Sequence, residues 1–341
     1  MQVTTIGLDL AKSVFQLHGV DARGRVVLRR RLSRSRLLEV FANLPRCVVG
    51  MEACSGAHYW ARELEALGHE VRLMPPSYVR PYVKRNKHDP ADAEACCEAA
   101  GRPSMRFVPI KSVEQQSVLL LHRGRELLVR QRTQLVNALR GHLAEFGVIA
   151  AKGISKIGEL LALVADPSDG RLPPLARETL ALLVEQLRGL ERRIEELERR
   201  LVAWHRSNEV TRRLATIPGV GPITATALVA TVGEPRVFTS ARHFAAWLGL
   251  TPRQHSSGSR VWQGGISKRG CGYLRRLLVQ GARSVVHWRG GRSGSHRAWL
   301  DGLRQRRPDH VVVVALANKT ARIAWAVMAR GEPFRPIITS A

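Results

Sequence analysis

Two groups of residues have the types and spacing that phosphate chemistry requires, and the first is a serine-rich stretch. Residues 249–260 (Gly-Leu-Thr-Pro-Arg-Gln-His-Ser-Ser-Gly-Ser-Arg) place Ser257 among basic side chains. These are Arg253, His255, Arg260, Lys268 and Arg269. Serine is a weak nucleophile without activation, and cations stabilise negative charge that develops on a phosphate. We hypothesise that Ser257 attacks a phosphodiester; the alternative is a flexible turn without chemistry.

Four acids near the other end of the chain form the second group. Asp9 and Glu52 each end an apolar run, whereas Asp89 and Asp92 are three residues apart and share one helix face. Mg²⁺ takes carboxylate oxygens as ligands, and ligand sites in open α/β sheets lie beyond the carboxyl ends of strands. An ordinary helix start, with Asp89 as N-cap and Pro90 at the first helical position, is the alternative for residues 87–94. Both roles can coexist if a metal lies near the helix start.

The elements that must position the acids follow from the hydrophobic pattern. Residues 3–9, 14–20 and 25–32 predict three strands, and the last two are joined by a turn at 21–24. A helix at 37–44, a buried parallel strand at 47–52, a helix at 58–67 ending at Gly68 and a strand at 71–74 follow. This order is that of a ribonuclease-H-like α/β fold.

Two long helices are predicted between the acids and the serine. The first spans about 113–146, and the second begins after Pro173 and ends near His205. An apolar seam runs along the second helix at heptad spacing: Leu183, Leu187, Leu190, Ile194, Leu197, Leu201 and Trp204. Two explanations fit the seam equally well. One is an intramolecular helical hairpin, and the other is a helix that oligomerises the chain or holds two catalytic domains apart.

Residues 214–225 resemble a helix–hairpin–helix element, because Pro-Gly-Val-Gly separates two helical stretches. The backbone N–H groups beside Gly219 and Gly221 would contact a DNA phosphate. An ordinary helical turn is the alternative, and the basic surroundings favour phosphate binding.

Composition narrows the class of protein. The net charge is +26 over 341 residues, which favours a nucleic-acid partner. Residues 216–341 carry most of this excess, with 19 lysines and arginines against 4 acids. Five cysteines without a CxxC pair argue against a disulfide framework or a zinc finger. We expect no signal peptide and no membrane span, and a cytoplasmic location.

Together, the motifs resemble those of DEDD-type transposases of the insertion-sequence one-ten family, which includes pilin-gene invertases. The first part matches at residues 7–12 (Gly-Leu-Asp-Leu-Ala-Lys), 51–53 (Met-Glu-Ala) and 89–93 (Asp-Pro-Ala-Asp-Ala). The last part matches at residues 248–253, 257–258 and 266–270. Cys54 stands where many members carry threonine, a change that we expect to be tolerated.

The resemblance implies roles for these residues. Asp9, Glu52, Asp89 and Asp92 would be the catalytic, metal-binding quartet of a RuvC-like domain, holding Mg²⁺ or, alternatively, Mn²⁺. The serine directly before the glycine, Ser257, would be the nucleophile, although Ser256 beside it is a competing assignment. Arg253, His255, Arg260, Lys268 and Arg269 would contact nucleic acid. Partners would be donor and target DNA, a structured guide RNA and further copies of the chain, from dimer to tetramer.

We therefore predict a three-part α/β protein. Residues 1–110 form a RuvC-like DEDD domain, residues 111–210 a helical coiled-coil linker, and residues 211–341 a mainly α, serine-bearing transposase domain. The predicted function is DNA transposition through a covalent serine–phosphodiester intermediate. The alternatives are a RuvC-like metal-dependent nuclease or junction resolvase without serine chemistry, and an inactive nucleic-acid-binding relative.

Overall fold

The computed structural model describes residues 2–84, 88–151, 153, 156–258, 260–288 and 295–335. Contacts between residues divide the chain into two units, Met1–Val113 and Glu114–Ala341. The predicted division at residues 110 and 210 stays a prediction.

The first unit is a five-stranded sheet covered by helices. Its elements in chain order are β1 Thr5–Leu10, β2 Val14–Val20, β3 Val26–Ser33, α1 Leu37–Ala42, β4 Val48–Glu52, α2 Ala57–Ala66, β5 Glu70–Met74, α3 Pro76–Val79 and α4 Asp89–Ala100. The strand order is β3-β2-β1-β4-β5. Strands β1, β4 and β5 are parallel, and β2 and β3 are antiparallel. The ribonuclease-H-like prediction agrees with this order.

The two faces of this sheet differ in side-chain size. Ile6, Leu8 and Phe15 lie on one face and are buried with residues of α1 and α2, including Trp60. The opposite face carries Gly7 and Gly50 in its central strands, and α4 packs there. Because side chains alternate between faces along a strand, Asp9 and Glu52 lie on the α4 face. The first face holds the larger core, whereas the α4 face holds a smaller apolar cluster, with Met74 and Cys96, beside the carboxylates.

The second unit is mainly helical, as predicted. Its elements are α5 Val113–Ala144, α6 Ile157–Ala165, α7 Pro174–Ser207, α8 Glu209–Leu214, α9 Pro222–Val232, α10 Ala241–Trp247, β6 Pro252–Ser257, β7 Arg260–Ile266, α11 Gly272–His287, α12 Ser295–Arg304 and α13 Asp309–Arg330. A core of buried apolar residues joins α8 to α11 and α13.

The apolar seam of α7 packs within the chain. Leu187 is buried in one cluster with Leu139 of α5, and Leu201 in another with Leu119. The Arg125 guanidinium also lies 2.6 Å from a carboxylate oxygen of Glu198. These contacts are those of the intramolecular hairpin. A coiled-coil role in oligomerisation stays a prediction.

Helix α13 is long and apolar enough, by length and composition, to cross a membrane. Part of its apolar surface is packed inside the second unit, where Val312, Leu316 and Ala324 are buried with residues of α9 and α11. Asn318 donates a hydrogen bond to the Leu250 carbonyl oxygen at 3.0 Å. The buried residues of α13 are those of a core helix, which accounts for part of its apolar composition.

Candidate functional site

Three carboxylates from two elements meet at one edge of the first unit. Asp9 is the penultimate residue of β1, and Asp89 and Asp92 lie in the first turn of α4. One oxygen from each carboxylate lies within 4.8 Å of the others. Local sequence patterns cannot predict this proximity, because about 80 residues separate β1 from α4.

Glycines in the strands bring α4 close enough to form this group. A Cβ atom on Gly7 would lie 1.9 Å from the Ala93 carbonyl oxygen, and one on Gly50 would lie 2.5 Å from the Ala100 Cβ. Helix α4 itself is rich in alanine and cysteine on its buried side. Small residues on both surfaces therefore set the position of the carboxylates on α4. Gly50 and the packing role of Gly7 were missed by sequence reasoning, although mid-strand glycines opposite an alanine-rich helix are a recognisable signal.

Glu52 lies beside this group without belonging to its closest three members. It ends β4, which runs parallel to β1 with Leu8 opposite Met51, so Glu52 follows at the level of Asp9. Its charge contributes to the electrostatics of Asp9. The structure thus brings the four predicted acids to one region, with Asp9, Asp89 and Asp92 closest together.

Asp9 is the acid most affected by this arrangement. Burial, followed by the carboxylates of Asp92, Asp89 and Glu52, raises the pKa of Asp9 from 3.8 to about 6. Burial and nearby negative charges both favour the protonated form of this carboxyl group. A divalent cation would relieve the repulsion, and the all-oxygen donor set suits Mg²⁺ or Mn²⁺. The residues therefore fit the metal that the sequence motifs imply.

The alternative role of Asp89 as a helix N-cap is wrong. The N-cap of α4 is His88, whose Nδ1 accepts a hydrogen bond from the Ala91 backbone N–H at 3.2 Å. Asp89 and Pro90 are the first two helical residues. Histidine is a rare N-cap and aspartate a common one, and this preference led to the wrong prediction that Asp89 is the cap. The Asp89 carboxylate is accordingly not engaged in capping.

The serine-rich stretch is a β-hairpin and not the flexible loop expected from its sequence. Strands β6 and β7 pair antiparallel, and Ser257, the last residue of β6, lies opposite Arg260. Every residue of β6 is exposed. Sequence reasoning missed these strands because alternation of apolar and polar residues signals a half-buried strand, and this hairpin buries neither face fully.

The hairpin separates the two candidate serines by face. Ser257 lies opposite Arg260, and His255 lies opposite Trp262. Ser256 lies opposite Val261, and its hydroxyl accepts a hydrogen bond from the Gln254 side chain at 3.1 Å. Because consecutive strand residues point to opposite faces, Ser257 shares its face with the arginine, the histidine and the tryptophan. Trp262, which is 58% exposed, was not among the predicted contacts.

The predicted basic contacts surround the hairpin and are exposed. Among the residues that the structure describes, they form no ion pair. They are Arg253, His255, Arg260, Lys268 and Arg269. This concentration of exposed basic side chains is suited to a polyanionic ligand.

A tight corner holds the base of the hairpin. Gly249 has φ 70° and Gly270 has φ 71°, and a Cβ on Gly270 would lie 1.8 Å from the Trp247 carbonyl oxygen. Lys268 adopts φ 56°, and its N–H donates to the Gly249 carbonyl oxygen at 3.1 Å. The end of α10 is thereby locked to the segment after β7, which explains why both motifs contain glycine.

The two predicted phosphate-contact glycines have different environments. Gly219 has φ 84° and faces α11, where a Cβ on Gly281 would lie 1.9 Å from the Gly219 carbonyl oxygen. Gly221 is exposed and precedes Pro222 at the start of α9. Gly219 therefore has a packing reason of its own. Phosphate binding by this turn, and its assignment as a helix–hairpin–helix element, stay predictions.

Two protein families match this chain. Residues 211–297 match the family described as "Transposase IS116/IS110/IS902 family". Residues 6–147 match the DEDD transposase family of IS110, described as "Transposase". The first region contains the hairpin with Ser257, and the second contains the four acids.

Individual relatives extend the similarity to nearly the whole chain. The "Probable family 20 transposase" of Pseudomonas aeruginosa is 52% identical over 337 residues, which are 98% of this chain and 100% of that protein. The "Transposase for insertion sequence element IS1111A" of Coxiella burnetii is 41% identical over 333 residues, 98% of this chain and 92% of that protein. The "Pilin gene-inverting protein" of Moraxella lacunata is 32% identical over 123 residues, 36% of this chain and 37% of that protein.

Proposed function

The chain belongs to the IS116/IS110/IS902 family of insertion-sequence transposases, enzymes that cut and rejoin DNA strands, and we propose that Ser257 is its nucleophile. The Ser257 Oγ attacks the phosphorus of a phosphodiester and loses its proton. The bond from phosphorus to one DNA oxygen breaks, and that oxygen leaves as a hydroxyl after taking up a proton. Attack by another DNA hydroxyl on the resulting phosphoserine reverses the exchange. One phosphoester replaces another at each step, so ATP is not needed.

The position of Ser257 is the observation that carries this proposal. It ends an exposed strand, opposite Arg260 and on the face that also carries His255. Guanidinium groups stabilise the charge that develops on phosphoryl oxygens. Ser256 lies on the other face, with its hydroxyl bonded to Gln254. The hairpin geometry therefore supports Ser257 over its neighbour.

Asp9, Glu52, Asp89 and Asp92 would hold Mg²⁺ or Mn²⁺ beside the reacting phosphate. DEDD transposase domains typically depend on a divalent metal, and an acidic cluster is present. When bound, the ion would polarise phosphoryl oxygens and help to orient the scissile group. The protein's own contribution is to hold the carboxylates together at a cost in mutual repulsion, which favours cation binding.

We extend the proposal to the partners of the chain. The acids and Ser257 belong to different units, and we propose that a homo-oligomer, from dimer to tetramer, completes the reaction centre on donor and target DNA. A structured guide RNA from the element would select these sites. The exposed cations around the hairpin and the turn at Gly219 and Gly221 would contact nucleic acid. The enzyme would act on the bacterial nucleoid in the cytoplasm.

A trapped protein–DNA adduct tests the serine chemistry. The protein is incubated with the recombining ends of its element, denatured, and separated on a gel that resolves free protein from protein joined to labelled DNA. We expect an adduct with the parent chain and with the matched control Ser256→Ala, and none with Ser257→Ala. Mass spectrometry of the digested adduct should place the phosphate on Ser257.

Two outcomes would contradict this mechanism. An adduct that persists in Ser257→Ala would identify another nucleophile. Strand cleavage without any adduct would indicate hydrolysis by a metal-dependent nuclease, because water as nucleophile leaves no covalent link between protein and DNA.

A further inference from the structure

The edge strand β3 carries three consecutive arginines that the transposase motifs do not include. Arg29, Arg30 and Arg31 are all exposed. None of them forms an ion pair with another residue in the described part of the chain. Three arginines on consecutive residues concentrate positive charge at this edge of the sheet, which favours an anionic ligand.

Strand register shows which of these arginines share a face with the carboxylates. Gln16 of β2 pairs with both Asp9 of β1 and Arg31 of β3. His18 pairs with both Gly7 and Arg29. Paired residues lie on the same face of a sheet, and Gly7 faces α4. Arg29 and Arg31 therefore lie on the carboxylate face, with Arg31 two strands, or roughly 10 Å, from Asp9.

A groove of about 360 Å³ lies between this part of the sheet and the start of α4. Arg29, Arg31 and His88 border it, and so does one acid, Glu94. The Glu94 carboxylate is already paired with the Lys84 ammonium at 3.0 Å, which offsets its charge.

His88 provides a hydrogen-bond donor in the same groove. Its Nδ1 accepts from the Ala91 N–H, so the ring proton of the neutral form resides on Nε2. The Nε2–H and the two guanidinium groups are the donors that recognise phosphate oxygens.

We propose that Arg29, Arg31 and His88 bind backbone phosphates of the DNA strand whose scissile phosphate lies at the carboxylate cluster. The inference rests on the proposed function, in which that cluster holds a metal ion beside DNA. A polyanion that approaches four acids is repelled, and the arginines along the adjoining edge oppose this repulsion. Phosphate contacts of this kind fix register and orientation without reading sequence. These three residues are positioning residues, since they lie away from the reacting atoms.

Arginine footprinting tests the contact directly. The full-length protein is treated with a dicarbonyl reagent that modifies arginine, with and without a mixed-sequence DNA duplex. The buffer contains Ca²⁺ in place of Mg²⁺ or Mn²⁺. Tandem mass spectrometry then measures modification at each arginine. We expect DNA to reduce modification of Arg29 and Arg31 severalfold. Arg23 and Arg46, which are exposed at the opposite end of the sheet, should remain reactive.

Matched charge variants provide a second measurement. Arg29→Gln/Arg31→Gln removes two charges from the proposed phosphate-binding residues Arg29, Arg31 and His88, which we call the phosphate track. Arg23→Gln/Arg46→Gln removes two charges at the other end of the same unit. Each phosphate contact contributes about 0.9 to the slope of the logarithm of the DNA association constant against the logarithm of the salt concentration. The first variant should therefore lower the slope by roughly 1 to 2. The control variant should leave the slope close to that of the parent chain.

The outcomes separate this inference from the serine mechanism. Unchanged modification of Arg29 and Arg31, or equal protection of Arg23 and Arg46, would overturn it. Protection by an RNA duplex of the same sequence but not by DNA would overturn it as well, and would assign the groove to RNA. If the footprint holds while no covalent adduct forms, the serine mechanism fails and the phosphate track stands. Ser257→Ala should leave the footprint unchanged.

Discussion

The charged form of Asp9 destabilises the metal-free fold, although its proposed role is to bind a metal ion. Its carboxyl is partly buried, and Asp92, Asp89 and Glu52 lie near enough to raise its pKa to about 6. An acid whose pKa is raised on folding makes the folded state less stable as pH rises from its ordinary pKa through the raised value. Near neutral pH, the metal-free protein therefore carries an unfavourable negative charge at this position. A bound cation would reverse that effect.

Asp9→Asn should accordingly raise the stability of the metal-free protein at neutral pH. We expect a gain of about 1 kcal/mol, or roughly 2–4 °C in the melting temperature, because the amide is neutral. Mg²⁺ or Mn²⁺ should stabilise the parent chain through binding to the folded state and should have little effect on the variant. Thermal melts with and without each ion measure both effects.

The control for this prediction is Glu65→Gln, which removes the same charge from an exposed position on α2. It should behave like the parent chain in both melts. Equal metal-induced stabilisation of Asp9→Asn and the parent would contradict the assignment of Asp9 as a ligand.

Among the helices of the second unit, a buried histidine joins three elements. His122 of α5 is 2% exposed, and its Nε2 lies 3.1 Å from the Thr226 hydroxyl of α9. Thr226 in turn donates to the Pro222 carbonyl oxygen at 2.8 Å, so its oxygen accepts from the His122 Nε2–H. The other ring nitrogen then accepts from the Tyr273 hydroxyl of α11 at 2.9 Å. This chain of donors requires a neutral imidazole.

This network predicts a pH dependence of stability. Burial, together with the charge of Arg125, lowers the pKa of His122 from 6.5 to about 4. The unfolded chain therefore binds a proton more readily, and stability falls as pH drops from about 6.5 to about 4. His122→Gln should remove this part of the fall, on the order of 2–3 kcal/mol. Thermal melts of both proteins across that pH range provide the comparison.

Tyr273→Phe serves as the control, because it removes one hydrogen bond and leaves the histidine able to titrate. It should lower the melting temperature near neutral pH and still show a fall in stability between about pH 6.5 and about pH 4. A pH profile of His122→Gln parallel to that of the parent chain would rule out His122 as the source of the acid sensitivity.

At the scale of the whole molecule, charge is the dominant property. The net charge is +26, and most of the excess of basic over acidic residues lies in residues 216–341. Such an excess suits binding to more than one nucleic acid at once. The proposed guide RNA and the two DNA partners would together neutralise it.

Guide RNA should therefore be required for recombination. We expect protein produced together with its complete element to retain a discrete RNA transcribed from the noncoding part. Ribonuclease treatment should abolish joining of donor and target DNA, and adding the RNA back should restore it. Full recombination by RNA-free protein would refute the guide, while leaving the serine mechanism and the phosphate track unaffected.

Much of this architecture could be predicted from local patterns. The first five strands, the turn before β3 and the end of α2 at Gly68 were predicted within a few residues, because alternation and turn residues are properties of neighbours in the chain. The two long helices were predicted for the same reason, through their heptad and turn spacings. The types and order of the four acids and the serine were sufficient to identify the family.

Other features depend on contacts between distant segments, which only the tertiary structure decided. The close approach of α4 to Gly7 and Gly50 sets the distances among the carboxylates, and no local pattern contains it. The hairpin at 252–266 is exposed, so it lacks the alternation that marks a buried strand. His88, and not Asp89, caps α4, because the helix begins at Asp89, one residue earlier than the preference for an aspartate cap predicts. The alignment of Arg29 and Arg31 with Asp9 follows from strand register, which long-range hydrogen bonds determine.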